Sequence, residues 1–123
     1  MKVKVSEAKE QVLDYLVALI KFPSPDYEDD DRLVYIHGDD EFHFAPSIYW
    51  SQGGPIIERE WLDVTPWPNE SREDMRWHCQ QHDTANDFAQ YGPTLLIAAM
   101  RCYVASKLGD EVEVPEELKG VTA

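Results

Sequence analysis

Hydrophobic positions recur with a helical period near each end of the chain and with shorter, strand-like spacing between. Val12, Leu13, Leu16, Leu19 and Ile20 are spaced by three and four, which predicts an amphipathic helix over residues 6–21 with one apolar stripe. Ser6 is placed as its N-cap, and Glu7 and Glu10 fall in the first turn, where acids suit the helix dipole. Phe22-Pro23-Ser24-Pro25 stops it, since proline lacks the N–H and disfavours αR in the residue before it. A second helix is predicted over 93–108, with Pro93 near its first position and Gly109 just beyond its end. Its apolar residues, from Leu95 to Leu108, cover most of the circumference, so it is expected to be buried on most sides. Its only charges are Arg101 and Lys107.

The remaining pattern predicts short strands. Residues 2–5 alternate Lys and Val. Leu33-Val34-Tyr35-Ile36 is β-branched and aromatic, His37 to Glu41 reads as a turn, and Phe42, His43 and Phe44 supply the return strand of a hairpin. Gly53-Gly54-Pro55 reads as a loop leading into a strand at Ile56–Glu60, which Trp61–Val64 continues or pairs with. Pro66-Trp67-Pro68 breaks the pattern. Residues 73–81 fit either period: Met75, Trp77 and Cys79 alternate, whereas His78 and His82 share a face only on a helix. Residues 83–91 and the acidic run 26–31 read as loops. The fold class expected is α+β, a small, mainly antiparallel sheet of three to five strands with two helices on one face. The domain division expected is 1–109 as a single domain and 110–123 as an exposed acidic extension, its first part holding five acids and Pro115.

Charge and composition narrow the partners. The chain of 123 residues has 24 acidic residues against 11 Lys plus Arg, a net charge of −13. That excludes a phosphate-backbone binder, which needs a Lys/Arg surface. Four Trp, six Tyr and four Phe are enough to fill a core and exclude global disorder. No apolar run approaches the roughly 20 residues of a membrane span, and Met1 to Val5 has no signal-peptide apolar region. Two cysteines without an export signal predict free thiols and a cytoplasmic protein.

Three segments carry a resemblance: Met1 to Glu7, Trp50-Ser51-Gln52-Gly53-Gly54-Pro55-Ile56-Ile57-Glu58-Arg59-Glu60, and Gly92-Pro93-Thr94 running through Met100-Arg101-Cys102-Tyr103 to Val112. Together they are similar to the NinX-like family of lambdoid phages and prophages, a family of unknown function. The resemblance implies phage origin, the cytoplasm of the bacterial host and an accessory role. It supplies no catalytic residues.

Candidate sites have competing readings. Tyr49, Trp50, Ser51, Gln52, Gly53 and Gly54 combine aromatic faces, polar side chains and a glycine pair whose N–H groups would take a phosphate or carboxylate. Arg59 and Arg101 would supply cations. The alternative is a tight turn under Trp50, with both arginines paired to Glu58, Glu60 or a tail acid. The loop matches neither a Walker A nor a dinucleotide fingerprint. His78 and His82, with Cys79, Asp83 and Asp87, offer metal-ligand types, but neither His-Glu-x-x-His nor Cys-x-x-Cys is present. The acids Asp26, Glu28, Asp29, Asp30, Asp31, Asp39 and Asp40 fit a calcium loop poorly, since the EF-hand order is absent. They read as a solvated face or as a mimic of a nucleic-acid phosphate track. No nucleophile-elbow serine or other hydrolytic arrangement is found.

The expectation is therefore a non-enzymatic phage accessory protein without cofactor or metal. It would bind a small anionic host metabolite or signalling nucleotide and counter a host defence pathway. The alternative is an acidic interaction module that inhibits a basic host protein. Direct nucleic-acid and membrane binding are not expected. Homo-oligomerisation is, because the aromatic content and the all-apolar helix leave apolar surface to cover.

Overall fold

The computed structural model describes residues 2–21, 26–28, 33–36, 42–81 and 89–114. Within them the chain runs β1 (Lys2–Lys4), α1 (Glu10–Lys21), β2 (Asp26–Glu28), β3 (Leu33–Ile36), β4 (Phe42–His43), α2 (Trp50–Arg59), β5 (Leu62–Pro66), β6 (Trp77–Gln81), β7 (Gln90–Gly92), α3 (Leu95–Leu108) and β8 (Glu111–Glu113). The class is α+β, as expected. The strands form three small antiparallel sheets, β1-β8, β2-β3-β4 and β5-β6-β7.

The organising element is α3. Nine of its residues are buried, so it packs on several sides at once. One side meets α1, which presents Val12, Leu13, Leu16 and Val17. Another meets the β5-β6-β7 sheet through Leu62 and Cys79. Small residues on α3 set the approach: a Cβ on Gly92 would lie 2.7 Å from the Ala98 nitrogen. The helix begins two residues later than the pattern implied. Pro93 stays outside, and the Thr94 hydroxyl caps the first turn by accepting from the Ile97 N–H at 3.2 Å. Gly109 ends it at φ 92°, with its N–H bonded to the Ala105 carbonyl.

Helix α1 also starts later than expected. Val5–Glu7 forms a 3-10 turn in which Val5 is fully buried and its N–H donates to the Asp110 carbonyl. Ala8 is extended at ψ 138°, so its carbonyl turns out of any helical ladder and accepts from Arg101 Nε at 2.8 Å. Ser6 is exposed and lies within that 3-10 turn, four residues before α1 begins.

The largest departure is α2. Gly53-Gly54-Pro55 and Ile56–Glu60, read above as a loop and a strand, form one ten-residue helix. Local propensity argued against it: two glycines weaken a helix and an interior proline removes a hydrogen bond. Burial overrides propensity, because Gly53 and Ile56, three apart, face the core together. Trp61, at φ 55°, then turns the chain into β5.

Residues 73–81 resolve into a 3-10 turn at Glu73–Met75 followed by β6. Part of the acidic run, Asp26–Glu28, is a strand paired with β3 rather than a loop. Asp29, Asp30, Asp31, Asp39 and Asp40 lie outside the described residues. The supposed extension begins as β8, pairing Val112 with Val3 and Lys2 with Glu113, and Val114 is buried. Opposite charges across the two strands let an acidic segment join the fold. Residues 115–123 lie outside the described residues.

Candidate functional site

The segment singled out in the sequence is presented by a turn that the core grips. Phe44, Ala45 and Pro46 are buried. The Ala45 carbonyl accepts from the N–H groups of Ile48 and Tyr49, both at 2.9 Å. Gln52 reaches back, its Oε1 accepting from the Ala45 N–H at 2.6 Å. Asp14, 3% exposed on α1, accepts from the Ser47 N–H at 2.9 Å. Held in this way, the turn delivers Ile48, Tyr49 and Trp50 to the surface at 60%, 43% and 59% exposure.

Burial raises the Asp14 carboxyl to about 7, with the Ser47 hydrogen bonds opposing the rise. Its folded pKa thus exceeds the unfolded one, and the native state holds the proton more tightly. The sign follows: this contribution is fully present below about pH 4 and is lost as pH rises through about 7. The slope approaches about 1.4 kcal/mol per pH unit between those limits. Asp14→Asn keeps an acceptor for the Ser47 N–H and cannot ionise. Urea unfolding from pH 5 to 8 should show wild type losing stability relative to Asp14→Asn. Parallel curves would mean that the carboxyl is not desolvated.

From Trp50 onward α2 lies beside β5. One recess, of about 310 Å³, is lined by Trp50, Gly54, Ile57, Glu58, Leu62, Val64 and Leu95. A second, of about 630 Å³, is lined by Ile57, Glu58, Arg59, Trp61, Leu62 and Asp63. They share Ile57, Glu58 and Leu62, so they adjoin, Trp50 lining the smaller and Trp61 the larger. Trp61 is 73% exposed. The acids Glu58 and Asp63 sit on the rim.

The eight expected ligand residues do not converge. Gly53 is buried inside the helix, and its N–H is bonded to the Tyr49 carbonyl, so the glycine pair offers no anion cradle. Gln52 is spent on Ala45. Tyr49, Trp50 and Ser51 are exposed. Gly54 lines the smaller recess and Arg59 the larger. Arg59 Nε donates to Glu60 at 3.3 Å, and Glu60 also takes Lys107 of α3 at 3.2 Å. Arg101 lines neither recess. It is 2% exposed; its Nε donates to the Ala8 carbonyl, and its Nη1 to the Tyr91 carbonyl and to Asp74. Burial lowers its pKa while Asp74 raises it, and the partner that an arginine on an apolar helix demanded lies within the chain.

His78 lies on β6 and stacks on Trp67. With residue 78 on a strand, an i, i+4 histidine pair cannot form, and His82, Asp83 and Asp87 lie outside the described residues. Among the described residues no group of three or more His, Cys, Asp or Glu is placed to hold a metal. No helix of the described residues is long and apolar enough to cross a membrane. Sequence reasoning missed Ile57 and Trp61. A helical reading of 50–59 would have put Trp50, Gly54, Ile57 and Glu58 on one face, at offsets of four, seven and eight.

In comparisons with known proteins, residues 4–107 match the family model described as Bacteriophage P22, NinX. No curated protein matches the chain.

Proposed function

This chain belongs to the bacteriophage P22 NinX family, and from that premise we propose a phage accessory protein that docks a basic host protein on its α2–β5 face. The observation that carries the reading is the pair of exposed tryptophans lining two adjoining recesses. Large exposed aromatics beside an apolar groove are the usual anchors of a protein interface. The rim is acidic: Glu58 and Asp63 stand beside Arg59, whose charge is met by Glu60. The net charge of −13 speeds encounter with a basic partner and repels nucleic acid. Inhibition would follow from occupation of the partner, with no chemistry on this chain, in the host cytoplasm.

The small-anion reading has less support at this face, because its donors are used inside the fold. This reading does not call on the acidic run 26–31. The test compares wild type with Trp50→Ala/Trp61→Ala, both side chains being exposed. Affinity capture from infected host cells should retain a basic host protein with wild type. The double variant should weaken that complex at least tenfold, and raised salt should slow its formation. Equal retention by both proteins would sink the reading. Sedimentation checks the other occupant: a homo-oligomer that the double variant breaks would make this face a self-association surface instead.

A further inference from the structure

The β5-β6-β7 sheet turns only one face to the core. Leu62, Val64, Cys79 and Gln90 point towards α3, and the register therefore sets Thr65, His78 and Tyr91 in a row across the other face. The Trp67 N–H donates to the Arg76 carbonyl at 2.7 Å, which continues the ladder one step past the Pro66–Trp77 pair. The Trp67 ring lies almost parallel to the His78 imidazole, with centroids 5.6 Å apart and planes at 9°. Tyr91 meets both rings at an angle, 5.4 Å from Trp67 and 5.1 Å from His78. Such a cluster braces the hairpin. Yet Trp67 remains 38% exposed with its partner in place, so ring surface is left over for another planar group.

The loop at this edge carries two exposed arginines. The Glu70 carboxylate takes Arg72 at 2.8 and 3.2 Å, and the Glu70 carbonyl accepts from Arg76 Nε at 3.2 Å. Glu70 thus holds both guanidinium groups, and its own N–H donates to the Trp67 carbonyl at 3.1 Å, which ties this loop to the aromatic cluster. The terminal nitrogens of Arg76 have no hydrogen bond to another described residue.

We propose that this outer sheet face binds a nucleoside monophosphate, with the base stacked on Trp67 and the phosphate held by Arg76 beside Arg72. Aromatic faces accept any base, which gives affinity with little sequence preference. The guanidinium fork matches phosphate oxygens in pairs. The net charge restricts the ligand's size, because a polynucleotide would meet repulsion along its whole length whereas a mononucleotide reaches only the arginine edge. The site shares no tryptophan or arginine with the α2–β5 recess, so the two proposals stand or fall separately.

Calorimetric titration of the intact chain with AMP, GMP, CMP and UMP, and with the matching nucleosides, tests it. At least one monophosphate should bind. Trp67→Ala should weaken it about tenfold or more. Arg76→Ala should reduce the monophosphate to the affinity of its nucleoside, and Trp50→Ala should change nothing. The proposal is overturned if no monophosphate binds at millimolar concentration, if nucleoside and nucleotide bind wild type equally, or if Arg76→Ala is silent. Arg76 is exposed, so its variant decides the matter even if Trp67→Ala does not fold.

Discussion

Arg101→Met is expected to lower the stability of the chain by about 3 kcal/mol or more, a large part of the roughly 5–15 kcal/mol that holds a domain folded. The side chain is 2% exposed and bonds the Ala8 and Tyr91 carbonyls, each at 2.8 Å. Methionine fills similar space and strands both carbonyls away from water, and each orphan costs about 1–3 kcal/mol. The Asp74 contact contributes less, because that carboxylate is 63% exposed and solvent screens it. Asp74→Ala should therefore shift the urea midpoint only slightly. Arg101→Lys should fall between, since an ammonium cannot span partners set out for a planar fork. Near-equal midpoints for Arg101→Met and wild type would show that water reaches the carbonyls.

The second large effect separates two neighbouring glycines. A Cβ on Gly53 would collide with the Pro46 carbonyl oxygen and lie 2.8 Å from Leu96 Cδ2. The oxygen belongs to backbone in the turn held by Asp14 and Gln52, so it has little freedom to give. Gly53→Ala should cost about 1–3 kcal/mol, or push α2 off its seat. At Gly54 the same atom meets only Trp50 Cε3, at 3.7 Å, an ordinary contact. There alanine should stabilise by up to about 1 kcal/mol through helix propensity. Opposite shifts in thermal midpoint are the expected result, and equal destabilisation at both sites would argue against a helical Gly53-Gly54.

That contrast marks where the sequence was legible. Both long helices were readable, because α1 carries a stripe of five apolar residues and α3 is apolar almost throughout. Their first turns were misplaced. Capping signals at Ser6 and Pro93 are local, whereas the Val5–Asp110 and Ala8–Arg101 bonds that set the start of α1 join distant parts of the chain. The Leu33–Ile36 and Phe42 hairpin was readable from β-branched and aromatic residues around a turn. Helix α2 was not, since Gly53 is there for its contact with Pro46 and Leu96, and a close approach leaves the same letters as a loop. The same ambiguity hid the candidate surface. Trp50 was visible as an aromatic, but its relation to Ile57 and Trp61 appears only with the helical period. The Trp67–His78–Tyr91 cluster draws on three separate segments, so no single window of sequence holds it.

The pairing of β1 with β8 has a bearing on the order of events during synthesis. Lys2 finds its partner in Glu113, and Val5 finds its own in the Asp110 carbonyl. A chain leaving the ribosome N-terminus first exposes Val3 and Val5 long before either partner exists. Helix α3, the hub of the core, emerges almost as late. The first strand must therefore wait, unpaired, until nearly the whole described chain is free, and the core cannot close before α3 and β8 have emerged. A stalled or truncated product lacking residues beyond 109 would keep that edge open, with two valines and an unpaired N–H available to any other strand in the cell.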